Sequence, residues 1–109
     1  MSDLTVYAVP LADVAVGSMH ACTVAGREIV ICRTRDGVFA LDNICTHAFA
    51  RLNEGRLRGT RLICPLHGAA FDVRDGRALG PPASGALAVH PVRLVAERIE
   101  VSVGPDAPR

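Results

Sequence analysis

Lysine is absent: all twelve basic residues are arginine, and eleven acidic residues leave a formal net charge of +1. A balance so close to zero excludes the broad electrostatic attraction by which a whole domain binds nucleic acid or an anionic membrane. Also missing is any run approaching the roughly 18 apolar residues that a membrane-spanning helix needs. The N-terminal stretch MSDLTVYAVPLADV has no basic region, and Pro10 and Asp13 interrupt its apolar residues. Neither a secretory nor a twin-arginine signal is expected there. No G-x-G-x-x-G motif occurs, and 109 residues leave no room for flavin or nicotinamide domains. These absences predict a soluble cytoplasmic protein with no nucleic-acid or membrane partner. Cysteine is sparse too, with four residues. In a cytoplasmic chain they serve metal binding or packing before disulfides.

What is present points to β-structure. Half the residues are apolar and 21% are charged, a globular composition. A chain this short supports one core, so residues 1–109 are expected to form a single domain. SMHACTV (18–24) and REIVICRT (27–34) flank Ala25-Gly26, which reads as a tight hairpin turn. Arg35-Asp36-Gly37 turns the chain into VFALDNI (38–44), and LAVHPVRLV (87–95) turns at Ala96-Glu97 into RIEVSV (98–103). Short strands at this spacing predict an all-β antiparallel sandwich or barrel. Residues 45–82 differ, being rich in Gly, Arg and Pro with two short apolar pieces at 62–64 and 69–73. That stretch reads as a small loop-rich subdomain inserted between β-hairpins.

If Ala25-Gly26 is the turn, Val24 pairs with Arg27, Cys22 with Ile29 and Cys32 with Met19. Cys22 and Cys32 are then too far apart for a disulfide, which needs Cα atoms within about 7 Å. Both are expected as small buried apolar residues. The other two cysteines are each accompanied by a histidine: Cys45-Thr46-His47, then sixteen intervening residues, then Cys64-Pro65-Leu66-His67. One zinc ion accepts two Cys and two His, but its usual sites take the two cysteines from one short motif and the two histidines from another. Residues i and i+2 of an extended chain share a side yet lie about 6–7 Å apart at the backbone, which crowds one small ion. Two metals relieve the crowding if one takes both cysteines and the other both histidines, as on a [2Fe–2S] cluster in which His₂ replaces Cys₂ on one iron. A Cys–His nucleophile would leave the second pair unexplained. His20 and His90, the remaining histidines, provide no set for a mononuclear iron and are expected to be structural or solvent-facing.

The run CTH…LNEG…CPLHG…FD resembles Rieske-type ferredoxins, and the similarity extends across nearly the whole chain. The resemblance implies antiparallel sheets carrying a cluster-binding subdomain, with one [2Fe–2S] cluster held by Cys45, His47, Cys64 and His67. Gly80-Pro81-Pro82 sits where the family carries a proline-bearing loop over the cluster. Respiratory members have an extra disulfide joining the two loops and hydroxyl residues after the second histidine. Here no cysteine lies between His47 and Cys64, Leu66 stands inside the second motif, and Ala69 and Phe71 occupy the hydroxyl positions. Without those donors to stabilise the reduced cluster, the potential is expected near the low end of the Rieske range, roughly −150 mV. Backbone N–H groups around Ala48, Phe49, Leu66 and Gly68 are candidate donors to sulfur, with Gly68 expected to permit close backbone approach. Leu66 and Phe71 are expected to pack, while Phe49 packs beneath its loop or lies exposed beside His47.

The role implied by the resemblance is that of a non-enzymatic one-electron carrier, monomeric when isolated. It would pass electrons from an NAD(P)H-dependent ferredoxin reductase to a terminal oxygenase acting on an aromatic compound. Residues 45–82 hold six arginines against Glu54, Asp72 and Asp75, so this end carries +3 and the remainder −2. Arg51, Arg56, Arg58 and Arg61 are accordingly candidates for steering a partner with an acidic patch. Two alternatives stay open at this point: the small Rieske-like subunit of an assimilatory nitrite reductase, and a zinc-stabilised β-module that binds a protein.

Overall fold

The computed structural model describes residues 4–46, 50–66, 68–81 and 85–104. Ten strands are arranged in three antiparallel sheets: β1 (Thr5–Pro10), β2 (Met19–Val24), β3 (Arg27–Thr34), β4 (Gly37–Asp42), β5 (Arg56–Arg58), β6 (Arg61–Ile63), β7 (Ala70–Asp72), β8 (Val89–His90), β9 (Val92–Val95) and β10 (Arg98–Val103). The sheet orders are β2-β3-β4-β8, β1-β10-β9 and β5-β6-β7. The all-β expectation holds.

Central strand β3 explains the layering. Successive side chains of a strand point to opposite faces. Ile29 and Ile31 enter a core with Ile99, Val101 and Val103 of β10. Val30 and Cys32 enter a second core with Leu62, Phe71, Cys45 and Cys64. The four-stranded sheet is therefore covered on both faces, by β1-β10-β9 on one and by β5-β6-β7 on the other. A strand buried on both sides needs a continuous apolar run, which IVIC supplies.

The β2–β3 register is Val24↔Arg27, Cys22↔Ile29 and Met19↔Cys32, as the turn at Ala25-Gly26 requires. Both turn residues have positive φ, 51° and 80°, the geometry that matches strand twist in a two-residue hairpin. Cys32 is fully buried, but Cys22 is only half-buried, a correction to its expected place in the core. None of the four cysteines is in a disulfide.

Two features differ from the strand reading. LAVHPVRLV is not one strand: β8 pairs with β4 and β9 with β10, so the chain changes sheets at Pro91. Proline has no N–H to continue a ladder, and the corner falls there. TVYAVP forms an edge strand against β10, with only Val9 buried. Its inward alternation is too faint to mark it as a strand from sequence.

Candidate metal centre

Cys45 follows the end of β4 and Cys64 the end of β6. Ile44 bridges Arg51, Cys45 N–H donates to Ala50 O at 2.9 Å, and Leu52 N–H donates to Asn43 O at 2.7 Å. These bonds close the first loop at its base. In the second, Cys64 N–H donates to Ala69 O at 2.7 Å, above the Ile63↔Ala70 pair of β6 and β7. Each cysteine thus stands at the foot of a small loop and points into the shared core. Cys45 is 1% exposed and Cys64 2%.

The two thiols interact directly. Burial pushes the Cys64 pKa up, the Leu66 N–H bond to its sulfur opposes the rise, and the Cys45 thiol adds to it. That Leu66 N–H lies 3.4 Å from Cys64 Sγ, a sulfur of the candidate ligand set; Ala48 and Phe49 fall outside the described residues. A buried, unoxidised thiol pair brought together from two loops fits thiolate ligation of a soft metal. The described half of the donor set therefore suits a cluster. His47 and His67 lie outside the described residues, and among those described no group of three metal-ligating side chains occurs.

The surroundings show how the loops are held. Buried Asn43 accepts from Asn53 N–H at 2.9 Å and donates from Nδ2 to Asn53 Oδ1 at 2.8 Å. It clamps the first loop to the 3₁₀ turn at Leu52–Glu54. Thr46 Oγ1 donates to Gly85 O at 2.9 Å, joining the loop to the segment after Pro81. Sequence reading missed this clamp, because nothing local links positions 39 residues apart. On the second loop, a Cβ at Gly55 would collide with the Ile63 carbonyl oxygen. Gly68 has φ +69°, and an added Cβ there would meet no described atom within 4 Å. At position 68 glycine supplies a left-handed backbone that other residues rarely adopt.

Phe71 is fully buried, as expected, and with Ala69 offers no hydroxyl. Leu66 does not pack: it is 46% exposed, correcting the expectation. The arginines also separate. Arg51 Nε bonds Glu28 Oε1 at 2.7 Å, Arg74 Nη2 bonds Asp72 Oδ2 at 2.8 Å, and Arg77 pairs with Asp72 and Asp75. Arg56, Arg58 and Arg61 are exposed and form no ion pair among the described residues. The two other histidines are structural. His90 Nε2 lies 2.9 Å from Asp42 Oδ1, whose other oxygen accepts from Arg27 at 2.9 Å, and His20 Nε2 lies 2.9 Å from Tyr7 OH. Burial alone would raise the Asp42 pKa, but the bonds from His90 and Arg27 outweigh it and leave it lowered.

Three sheets, two cysteine loops meeting over one core and a C-x-H/C-x-x-H donor pattern define a Rieske protein. The Rieske [2Fe-2S] domain model matches residues 5–91, and the chain belongs to that family, which carries one [2Fe–2S] cluster. The zinc-module alternative is thereby set aside. Over 103 residues the chain is 34% identical to the ferredoxin component of a naphthalene 1,2-dioxygenase system from Pseudomonas aeruginosa, covering 94% of this chain and 99% of that protein. Among solved structures it is similar to the ferredoxin of carbazole 1,9a-dioxygenase from Nocardioides aromaticivorans IC177, at 31% identity and TM-score 0.83, covering 90% of this chain and 94% of that one. It also resembles a chain from the complex of reduced oxygenase and oxidized ferredoxin in carbazole 1,9a-dioxygenase, at 26% identity and TM-score 0.87, covering 99% and 100%. Nitrite reductase small subunits are similar at 21% identity or less, a likeness of fold alone. No described helix is long and apolar enough to cross a membrane.

Proposed function

We propose that this chain is the ferredoxin component of an aromatic-ring dioxygenase system. It would carry single electrons from an NAD(P)H-dependent reductase to a terminal oxygenase and would itself be no catalyst. The observation that carries the reading is end-to-end similarity to a dioxygenase ferredoxin component, 94% of one chain against 99% of the other.

Cys45, His47, Cys64 and His67 are the proposed ligands, with residues 45–82 as the cluster-binding unit. The cluster, when bound, supplies a site that accepts and releases one electron. The chain's own part is to hold and tune it. Burial of Cys45 and Cys64 keeps water from the sulfurs, and Leu66 N–H donates to Cys64 Sγ. Ala69 and Phe71 withhold the side-chain donors that would favour the reduced state, so the reading includes a potential near the low end of the Rieske range, roughly −150 mV.

Iron and acid-labile sulfide analysis, with EPR of the dithionite-reduced protein, tests the cofactor. Two irons, two sulfides and a Rieske-type signal are expected, and one zinc with no sulfide would refute the assignment. Reconstitution with a ferredoxin reductase and the terminal oxygenase of an aromatic-ring dioxygenase system tests the role: aromatic hydroxylation should depend on this chain. Oxygenase turnover at the same rate without it would reject the carrier reading.

A further inference from the structure

The arginine-rich end of the molecule separates into two sets. Arg51, Arg74 and Arg77 are neutralised by Glu28, Asp72 and Asp75. Arg56, Arg58 and Arg61 are not. Arg58 and Arg61 are direct cross-strand partners in β5–β6, an arrangement of like charges that works against the hairpin. Arg56 and Arg58 are two apart on β5 and share the exposed face, while Leu57 and Leu62 turn inward. The nearest acidic residue in sequence, Glu54, lines one hollow with Arg56, one carboxylate beside a face of three arginines.

The Arg56 end of this face adjoins the metal centre, while Arg58 and Arg61 flank the Gly59-Thr60 turn at the other end of the hairpin. Arg56 and Cys64 line the same hollow of about 230 Å³, and Pro65 and half-exposed Leu66 continue the surface immediately past Cys64. An exposed apolar residue flanked by unpaired arginines has the composition of a docking face: an apolar centre, a polar rim and Arg enrichment.

Resting on the ferredoxin reading, we propose that Arg56, Arg58 and Arg61, with Leu66 as the apolar contact, form the surface on which a terminal oxygenase docks through an acidic patch beside its electron-entry point. Charge complementarity selects acidic chemistry: carboxylates on the partner would relieve the Arg58–Arg61 repulsion, since the carboxylate across from Arg61 on β7, Asp72, is already engaged by Arg74 and Arg77. The oxygenase is favoured over the reductase because the chain is similar along its full length to one solved in a complex of ferredoxin with oxygenase. A small carrier with one redox centre must bring its partner to the surface nearest that centre. Here that surface is positive although the molecule is nearly neutral.

Two measurements test this on the cluster-loaded protein. First, oxidation of the reduced protein by hexacyanoferrate(III), a trianion, is compared with oxidation by tris(phenanthroline)cobalt(III), a cation. The anion's second-order rate should fall as salt rises and the cation's should increase. In Arg56→Glu/Arg58→Glu both trends should invert, with the anion roughly tenfold slower at low salt. Second, the KM of the terminal oxygenase for the ferredoxin should rise roughly tenfold in that variant at low salt with kcat unchanged. Arg56→Gln/Arg58→Gln should give an intermediate rise, and Arg93→Gln, on the distant β1-β10-β9 sheet, none. Visible absorption identical to the parent protein establishes that each variant holds its cluster. If the Glu variant does not, the Gln variant decides the question. No salt dependence in the parent protein, an unchanged KM, or an effect confined to the reductase would overturn the docking assignment. Hydroxylation would still depend on the ferredoxin in each of these cases, which separates failure of the docking surface from failure of the carrier reading.

Discussion

In the first cysteine loop the Cys45 N–H bonds the carbonyl five residues on, Ala50, and in the second Cys64 does the same with Ala69. Beyond that shared closure the two are braced differently. The first is tied outward to the body of the protein: Thr46 to Gly85, Asn43 to Asn53, and Arg51 across to Glu28 on β3. The second is braced from beneath, where Gly55 leaves room for the Ile63 carbonyl, and from within, where Leu66 N–H meets the Cys64 sulfur. Its outer surface is left open, with Leu66 exposed and the neighbouring arginines unpaired. One loop anchors the metal centre to the sandwich. The other presents it.

The sharpest way to break this contrast is Gly55→Ala. The added methyl meets backbone rather than a flexible side chain, so the β5–β6 hairpin must shift under Cys64. A loss of about 3 kcal/mol is expected, read as a large drop in Tm with bleaching of the visible spectrum at the same temperature. A Tm within a few degrees of the parent would mean that the second loop is not braced from below.

Asp72 supports the same loop by ending β7. Hydrogen bonds from Arg74 hold its carboxyl down to about 2, against the opposing effect of burial. A depressed folded-state pKa contributes stability above the unfolded value and loses it as pH falls through the folded one. Asp72→Asn should therefore cost about 1–2 kcal/mol at neutral pH, limited by solvent screening of its half-exposed arginine partners. The difference should shrink from about pH 5 downward and be lost as the pH falls through about 2. Urea unfolding of both proteins across this range checks it, and a gap that stays constant with pH would contradict the assignment.

Thr46→Val removes the outward tie of the first loop while keeping the shape of its side chain. About 1 kcal/mol should be lost, with faster amide exchange at Leu87 and Ala88 and none of the change at Cys64 or Leu66. Equal loosening of both loops would show that the bracing is shared. The smallest effect is expected far from either loop. Ala96 and Glu97 turn β9 into β10 with φ of 51° and 63°, a conformation unfavourable to both residues. Ala96→Asn/Glu97→Gly should raise stability by about 0.5–1 kcal/mol without altering the visible spectrum.

Much of the local structure was legible because it depends on neighbours. REIVICRT was legible as a strand, and Ala25-Gly26 set the β2–β3 register, since two residues leave the hairpin little choice. The first of the expected strands to fail was LAVHPVRLV, where Pro91 divides one apolar run between two sheets. Strand β1 escaped notice because it pairs with β10, 88 to 98 residues away. Leu66 was expected to pack because its hydrophobicity is visible, whereas the absence of a neighbour above it is not. Arg51 could not be told from Arg56 until Glu28 was found bonded to one and no ion pair, among the described residues, on the other.

The sequence by itself determined the chemistry of this protein: two thiols and two imidazoles at spacings that suit a pair of irons, no hydroxyls after the second loop, and β-structure throughout. Those properties reside in residue types and short intervals along the chain. Tertiary structure alone decided which arginines keep their charge uncompensated, which loop is latched to Gly85, and that Leu66 faces outward. Each of these depends on which distant segments meet, and long-range pairing is written in no local window of the sequence.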